Sequence, residues 1–437
     1  MDSTYKYLTM LFDDLVLDLK DRFQALEKPR TINSTYELSN ILMCGFALFS
    51  VKDSSLLKFT KELNNRASNL KNIFHITQSP SDTTVRTLLD EVPTKELKPL
   101  FKSYLNELDN QRVLKEYEFV KGHLLIPVDG TQYFDSKTVH CENCQTKKQG
   151  GSITYHHNAL GAVIVSPKYS EVFPVSIEDI VKQDGKTKND CELAAFKRLA
   201  PQIRQNLPDK KIIIGGDALF ANGPAVRFLQ KPEIDMRFLF SVKPGSQGYL
   251  FLQAERLEAE GKMNIFTATG TRKKYVTKYA NGLMLNGVHN DILVNFIHFE
   301  EHNLKTGNVK IFNWVTDITI TVDNYTDLVK AGRARWKIEN ETFNTLKNQG
   351  YQFEHNFGHG KKYLAANFSV LMLLAFLFDQ IQQRTNQVFL AARRKTGSNI
   401  ALWEKIRQIF DLVIVDSMQT IYKIIAKQIK LKIQLII

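Results

Sequence analysis

Two short apolar runs, each ending in an aspartate, constrain this chain more than any other feature. Residues 124–128 (LLIPV) run into Asp129-Gly130-Thr131, and residues 211–214 (KIII) run into Gly215-Gly216-Asp217. Apolar runs of this length, bounded by Gly turns, read as buried strands. Between them lie two more strand-like runs, at 157–166 and 169–177, and a helix-like stretch at 190–200 (DCELAAFKRLA). Strands alternating with helices predict an α/β layered core. Acids at the carboxyl ends of strands in such a sheet lie on the edge where ligands bind. Taken singly, each aspartate also fits a turn or a cap. The matched pair is what carries meaning.

A third acid stands out in residues 332–351 (GRARWKIENETFNTLKNQGY). Read as a helix at 100° per residue, Trp336, Phe343 and Leu346 share a face, and Glu339 falls among them. Glu341 points away. An acid on the core side of a helix needs a cation, a metal or a proton. Arg335, four residues before Glu339, offers an ion pair. The alternative is a metal whose other ligands are Asp129 and Asp217. Two Mg²⁺ ions about 4 Å apart call for shared carboxylates and little other protein ligation.

The chain has 437 residues, enough for two to three domains. Its 58 Lys and Arg against 46 Asp and Glu give a net charge of +12, which fits a polyanionic partner such as nucleic acid. The first twenty residues carry four aspartates and no basic segment followed by an apolar run, so no signal peptide is expected. The most apolar stretch, residues 363–378, is short for a membrane span and reads as a core helix. Cys44, Cys141, Cys144 and Cys191 do not make a disulfide framework, which points to a reducing cytoplasm.

The pattern divides the chain. Residues 1–116 read as helices, with Ser81 or Asp82 capping one of them and 69–79 as a polar linker. Short helices with short turns suit a helix-turn-helix module and suit a plain bundle equally. Residues 117–235 form the first part of the α/β core. Residues 236–322 are rich in β-like runs. Residues 323–360 hold the Glu339 helix, and 361–437 are helical and basic, with twelve Lys and Arg against four Asp and Glu.

On these motifs the chain resembles the bacterial insertion-sequence transposases of the DDE class. The matching elements are IPVDGTQYF, IIIGGDALF, NWVTDIT and RWKIENETFNTLK, in that order, spanning 124–351. The resemblance implies an α/β fold with an RNase H-like mixed sheet, interrupted by a β-rich insertion and flanked by helical regions, the first of them binding DNA. It implies metal-dependent DNA cleavage and strand transfer, with Asp129, Asp217 and Glu339 as catalytic metal ligands for Mg²⁺ or Mn²⁺. It implies DNA contacts by Arg335 and Lys347, and by Trp314 stacking on a flipped base, although Trp314 also fits a core position. Implied partners are the terminal inverted repeats and target DNA, bound by a homodimer in the cytoplasm at the nucleoid, with no membrane role. The alternatives are a DNA-binding derivative without transposition activity and a stand-alone metal-dependent DNA nuclease. The family spacing Tyr-x2-Arg-x3-Glu-x6-Lys is met at Arg335 and Glu339. Gly332 stands where Tyr is expected, and Lys347 comes one residue late.

Two secondary features remain, the first outside that scheme and the second implied by the resemblance. Cys141 and Cys144, with His140 and the His156-His157 pair nearby, fit either Zn²⁺ or a reduced thiol pair in a hairpin. Glu192 and Arg198, on the helix between the two aspartate strands, are further candidates for a place near the site, or are helix-terminal charges favoured by the dipole.

Overall fold

The structure, a computed structural model, describes residues 9–27, 29, 35–183, 188–189 and 192–430. Asp190 and Cys191, and the ends of the first and last expected helices, lie outside them.

The chain opens with α1 (Phe12–Gln24), α2 (Leu38–Ser50), α3 (Leu56–Lys61), α4 (Ala67–Phe74), α5 (Asp82–Asp90), α6 (Leu100–Asn110) and α7 (Val113–Tyr117). Every residue of α2 is buried, so it is the axis of this helical body. Ser81 caps α5 by accepting from the Thr84 amide. The expected linker at 69–79 begins inside α4 instead. Leu70, Ile73 and Phe74 recur at helical spacing and are buried, while the polar residues between them face outward and mask the pattern.

The sheet follows, with β1 (Leu124–Ser136), β2 (Gln145–Gln149), β3 (Ser152–Ile164), β4 (Phe173–Ile180), β5 (Lys182–Gln183) and β6 (Lys188–Asn189). Then come α8 (Glu192–Asn206), β7 (Ile212–Gly216), α9 (Gly223–Leu229), β8 (Arg237–Ser241) and α10 (Gly248–Ala259). Next are β9 (Asn264–Thr269), β10 (Lys273–Met284), β11 (Leu293–Asn303), β12 (Val309–Thr316) and α11 (Tyr325–Ala334). The described strands make one ten-stranded mixed sheet in the order β2-β3-β1-β7-β8-β12-β11-β10-β9, with β4 also on β3, and a separate β5–β6 pair. β1, β7 and β8 are parallel neighbours, and β3 lies antiparallel on β1. The β-rich stretch therefore does not stand apart. Its first strand, β8, pairs in parallel with β7, and its last, β12, pairs with β8 and extends the same sheet.

After α11 the chain makes a π-helical turn over Ile338–Phe343, then α12 (Asn344–Asn348), α13 (Leu364–Thr385), α14 (Gln387–Thr396), α15 (Asn399–Leu412) and α16 (Met418–Ile425). Among the described residues, α13 is the one helix long and apolar enough to cross a membrane, and 89% of that apolar window is buried inside the protein. It packs on α2, α5 and β4, while α16 reaches α1. The N- and C-terminal helices thus share one core. Phe378 stands edge-on to Phe12, Phe46 and Tyr104, an arrangement that adds to the burial of each ring.

Candidate active site

Parallel pairing sets the first two acids. β1 and β7 run in register from Leu124↔Ile212 to Pro127↔Gly215. Asp129 and Asp217 each lie two residues past that last pair, on strands about 4.8 Å apart. Apolar residues anchor both strands: Leu124–Val128 and Ile212–Ile214 are buried, whereas the two aspartates are half-buried at the edge. Asp129 Oδ1 accepts from the Gly130 amide at 3.0 Å, and its Oδ2 accepts from Arg335 Nη1 at 3.2 Å. Asp217 Oδ1 accepts from the Leu219 amide at 2.9 Å, which holds the turn after β7.

A further carboxylate presses into the same place. Glu192, in the first turn of α8, lies over the backbone of Gly130. A Cβ at Gly130 would come within 2.2 Å of Glu192 Oε1, so any larger residue would push the glutamate side chain aside. Burial raises the Glu192 carboxyl, and the negative charges of Asp129 and Asp217 raise it further. Asp129 is raised by burial, lowered by Arg335 and raised again by Asp217. Three half-buried carboxylates therefore repel one another, and among the described residues Arg335 is the one cation bonded to them. Arg198, the other candidate on α8, does something else. It donates to Glu178 Oε1 at 2.8 Å and to the Asp179 carbonyl at 2.9 Å, in a network that also holds Lys98.

Residues 332–351 do not form one regular helix. α11 ends at Ala334, a turn holds Arg335 and Trp336, and the π turn begins at Ile338. The expected common face breaks accordingly. Phe343 and Leu346 are buried, but Trp336 is 47% exposed, with the Arg335 guanidinium 4.7 Å from its ring centre. Arg335 pairs with Asp129, not with Glu339. The π turn packs against β1 and β3, and Phe343 lies over Gly161, the cross-strand partner of Asp129. Glu339 comes one wide turn before Phe343. It is half-buried, and its carboxylate makes no hydrogen bond or ion pair with any described residue. Among the described residues, only Cys141, Cys144 and His157 bring three acidic, thiol or imidazole ligand atoms within 4.8 Å of one another. The acids at 129, 217 and 339 are spread wider than a single-ion cage.

Lys347 pairs with Glu354 at 3.0 Å. Trp314 is 2% exposed, stacked on Phe312 at 5.7 Å with the rings 2° from parallel. Its other neighbour is α11: a Cβ at Gly332 would fall 2.4 Å from the indole. The base-stacking expectation for Trp314 therefore gives way here to the core position, because sheet and helix close over both faces. The same contact accounts for Gly332, where a tyrosine was expected. Gly332→Ala should force the indole or the helix aside and cost about 1–3 kcal/mol, measured as a lowered denaturation midpoint.

No family model and no curated protein matches the chain. Among solved structures, it is similar to the piggyBac transposase synaptic complex with hairpin DNA. The two share 9% identity over 96% of this chain and 81% of that one, with a TM-score of 0.44. At that distance the likeness transfers no activity, and the site must be judged by its own residues.

By that measure, sequence reasoning found the two neighbouring strands and put Asp217 just past the end of β7, but Asp129 lies inside β1, which runs on to Ser136 because the residues after it keep pairing with β3. Glu192 was given too little weight. The signal for Glu192 was present. It is an acid at the start of the helix that crosses between the two aspartate strands, and a glycine follows the first aspartate.

Proposed function

We propose that the chain is a transposase of the DDE class, cutting DNA at the ends of an insertion sequence and joining the freed ends to target DNA. The observation that carries this reading is the carboxylate cluster at the edge of parallel β1 and β7, with one arginine against three acids. Such a donor set, all oxygen and in excess negative charge, suits hard divalent cations, Mg²⁺ or Mn²⁺. Asp129, Asp217 and Glu339 are the ligands on this reading, and Glu192 is a fourth acid, next to Asp129 and Asp217. When bound, the ions supply activation of a water or 3′-hydroxyl and charge neutralisation at the departing oxygen.

The chain's own residues do the positioning. Arg335 and the Gly130 amide orient the Asp129 carboxylate, and each of its oxygens keeps a second lone pair for a ligand. The Leu219 amide orients Asp217 in the same way. The π turn supports the family spacing at Lys347. A single π turn takes up one residue more than an α turn, so the eighth residue after Glu339 takes the angular place of a seventh in a regular helix. Such turns are frequent at functional sites. The mixed sheet, with β1, β7 and β8 parallel and β3 antiparallel, supports the RNase H-like reading of the core. The implied partners are terminal inverted repeats and target DNA held by a homodimer, in the cytoplasm. The charge of +12 is of the right sign for them.

The test is a plasmid carrying the element's ends, incubated with Mg²⁺ or Mn²⁺. Joined strand-transfer products are expected. Cleavage without joined products would make the protein a metal-dependent nuclease. Binding without cleavage would make it a DNA-binding derivative.

A further inference from the structure

The long β1 strand leaves the acidic site and turns through residues 137–144 into β2. Cys141 and Cys144 sit in that turn, and His157 reaches it from β3. Cys141 Sγ lies 3.6 Å from Cys144 Sγ and 3.3 Å from His157 Nε2, and Cys144 Sγ lies 3.4 Å from the same nitrogen. A tetrahedral zinc with Zn–S near 2.3 Å and Zn–N near 2.0–2.1 Å separates its ligand atoms by about 3.8 Å for S to S and about 3.5 Å for S to N. The three observed distances match that tetrahedron to within a few tenths of an ångström. They do not match a disulfide, whose sulfurs are about 2.05 Å apart.

His140 is turned out of this group. It stacks on Tyr155 at 4.2 Å, and its Nδ1 lies 3.1 Å from the Thr138 carbonyl. His156 points to the opposite side of β3 from His157, as neighbours on a strand must. A different imidazole stands next to the cluster. His359 comes from the segment between α12 and α13, and its ring centre is 5.1 Å from that of His157 and 4.0 Å from that of Phe134. Two imidazoles on one tetrahedral zinc have ring centres about 5 Å apart. Both ring nitrogens of His359 are buried and have no hydrogen-bond partner, an unusual condition for a buried polar group. His359 is not one of the three residues whose ligand atoms already lie within 4.8 Å of one another, so its side chain must move to bring a nitrogen onto the ion.

We propose that Cys141, Cys144, His157 and His359 bind a structural Zn²⁺ that staples the β1–β2 turn to the 352–362 segment. The four ligands give the closed set of two thiolates and two imidazoles that structural zinc takes. The polypeptide around the site is already arranged for such a staple. Asn143, between the two cysteines, donates to the Lys362 carbonyl at 3.0 Å. Just beyond His359, the amides of Lys361, Lys362, Tyr363 and Leu364 all donate to Asp90 on α5. Phe353 stacks on Tyr133 of β1 at 5.4 Å. Zinc would thus hold the return from the Glu339 segment to α13 against the far end of the strand that carries Asp129. The exposed Lys147 and Lys148 of β2 are carried on the same stapled hairpin. Binding releases the two thiol protons to solvent, and no oxidant or reductant is involved.

The experiment uses the full chain, purified under reducing conditions, and is independent of any DNA reaction. Metal analysis should find one zinc per chain. Cobalt replacement should show the intense visible bands of a tetrahedral thiolate site. Cys141→Ser, Cys144→Ser and His157→Gln should lose the stoichiometric metal, and His359→Gln should lose the tetrahedral cobalt spectrum. His140→Gln and His156→Gln should keep both. Should the cysteine variants fold poorly, the wild-type chain gives the second measurement. Chelation should speed amide exchange in 137–146 and 352–362, and zinc should restore protection. A chain that binds no zinc, or mass spectrometry finding a Cys141–Cys144 disulfide in its place, overturns the proposal. Unchanged zinc affinity and cobalt spectrum in His359→Gln overturn the four-ligand site.

Discussion

Asp217→Asn is expected to abolish metal-dependent DNA cleavage and to make the metal-free protein more stable. The two effects share one cause. Loss of an outer partner of a metal site already costs 10–100-fold, so loss of a ligand should exceed about 10²-fold. In the absence of metal, the Asp217 charge acts against both Asp129 and Glu192. Removing it relieves repulsion, and the amide keeps an oxygen for the Leu219 N–H. Asp217 is the better choice than Asp129, whose replacement would also strip Arg335 of its partner. Thermal denaturation with and without Mn²⁺ reads the coupling. The wild type should gain midpoint on adding the ion, and the variant should start higher and gain less. Glu192→Gln should follow the same pattern with a smaller loss of cleavage. Full nicking activity in Asp217→Asn, or an equal Mn²⁺ shift in both proteins, would sink the assignment.

Asp379→Ala is expected to destabilise the helical body by about 3–5 kcal/mol, the cost of leaving one member of a buried ion pair alone. Lys52 and Asp379 have side chains only 1% and 4% exposed. Lys52 Nζ donates to Asp379 and to the Ser50 carbonyl, and sits 3.9 Å from the Trp403 ring centre and 4.8 Å from that of Tyr351. The Tyr351 hydroxyl donates to the same aspartate oxygen. This node joins the end of α2, the middle of α13, α15 and the residue that follows the Glu339 segment. Without Asp379 the ammonium keeps one carbonyl and two ring faces, too little to replace water. The paired change Lys52→Met with Asp379→Leu should be far milder, because it removes both charges at similar volume. Chemical denaturation followed by helical circular dichroism separates the cases. If Asp379→Ala shifts the midpoint no more than the paired change does, the ion pair has no special role.

Much of the architecture was legible because strand and helix periods are local. The strands at 124, 157, 211, 237, 274 and 309 begin within a few residues of the observed ones, as do most C-terminal helices. α4 escaped because its apolar residues are few and its outer face is polar. α10 escaped because it interrupts a β-rich stretch, where the flanking alternation dominates. The face assignment for Trp336, Phe343 and Leu346 failed for a different reason. Counting 100° per residue assumes an unbroken α-helix, and a turn followed by a π turn rotates everything after Arg335.

The sequence by itself determined the chemistry that is available: acids directly after two short apolar runs, a third acid in a later helical segment, and a Cys-x2-Cys turn with histidines to follow. These are statements about residue type and spacing along one line, and local periodicity suffices for them. The tertiary structure decided which of these groups meet. It gave Arg335 to Asp129 and not to Glu339, brought Glu192 over Gly130, buried Trp314 against Gly332, and set His359 beside His157. Partners so far apart in the chain are chosen by strand register and by the packing of whole elements, and neither is encoded in any single stretch.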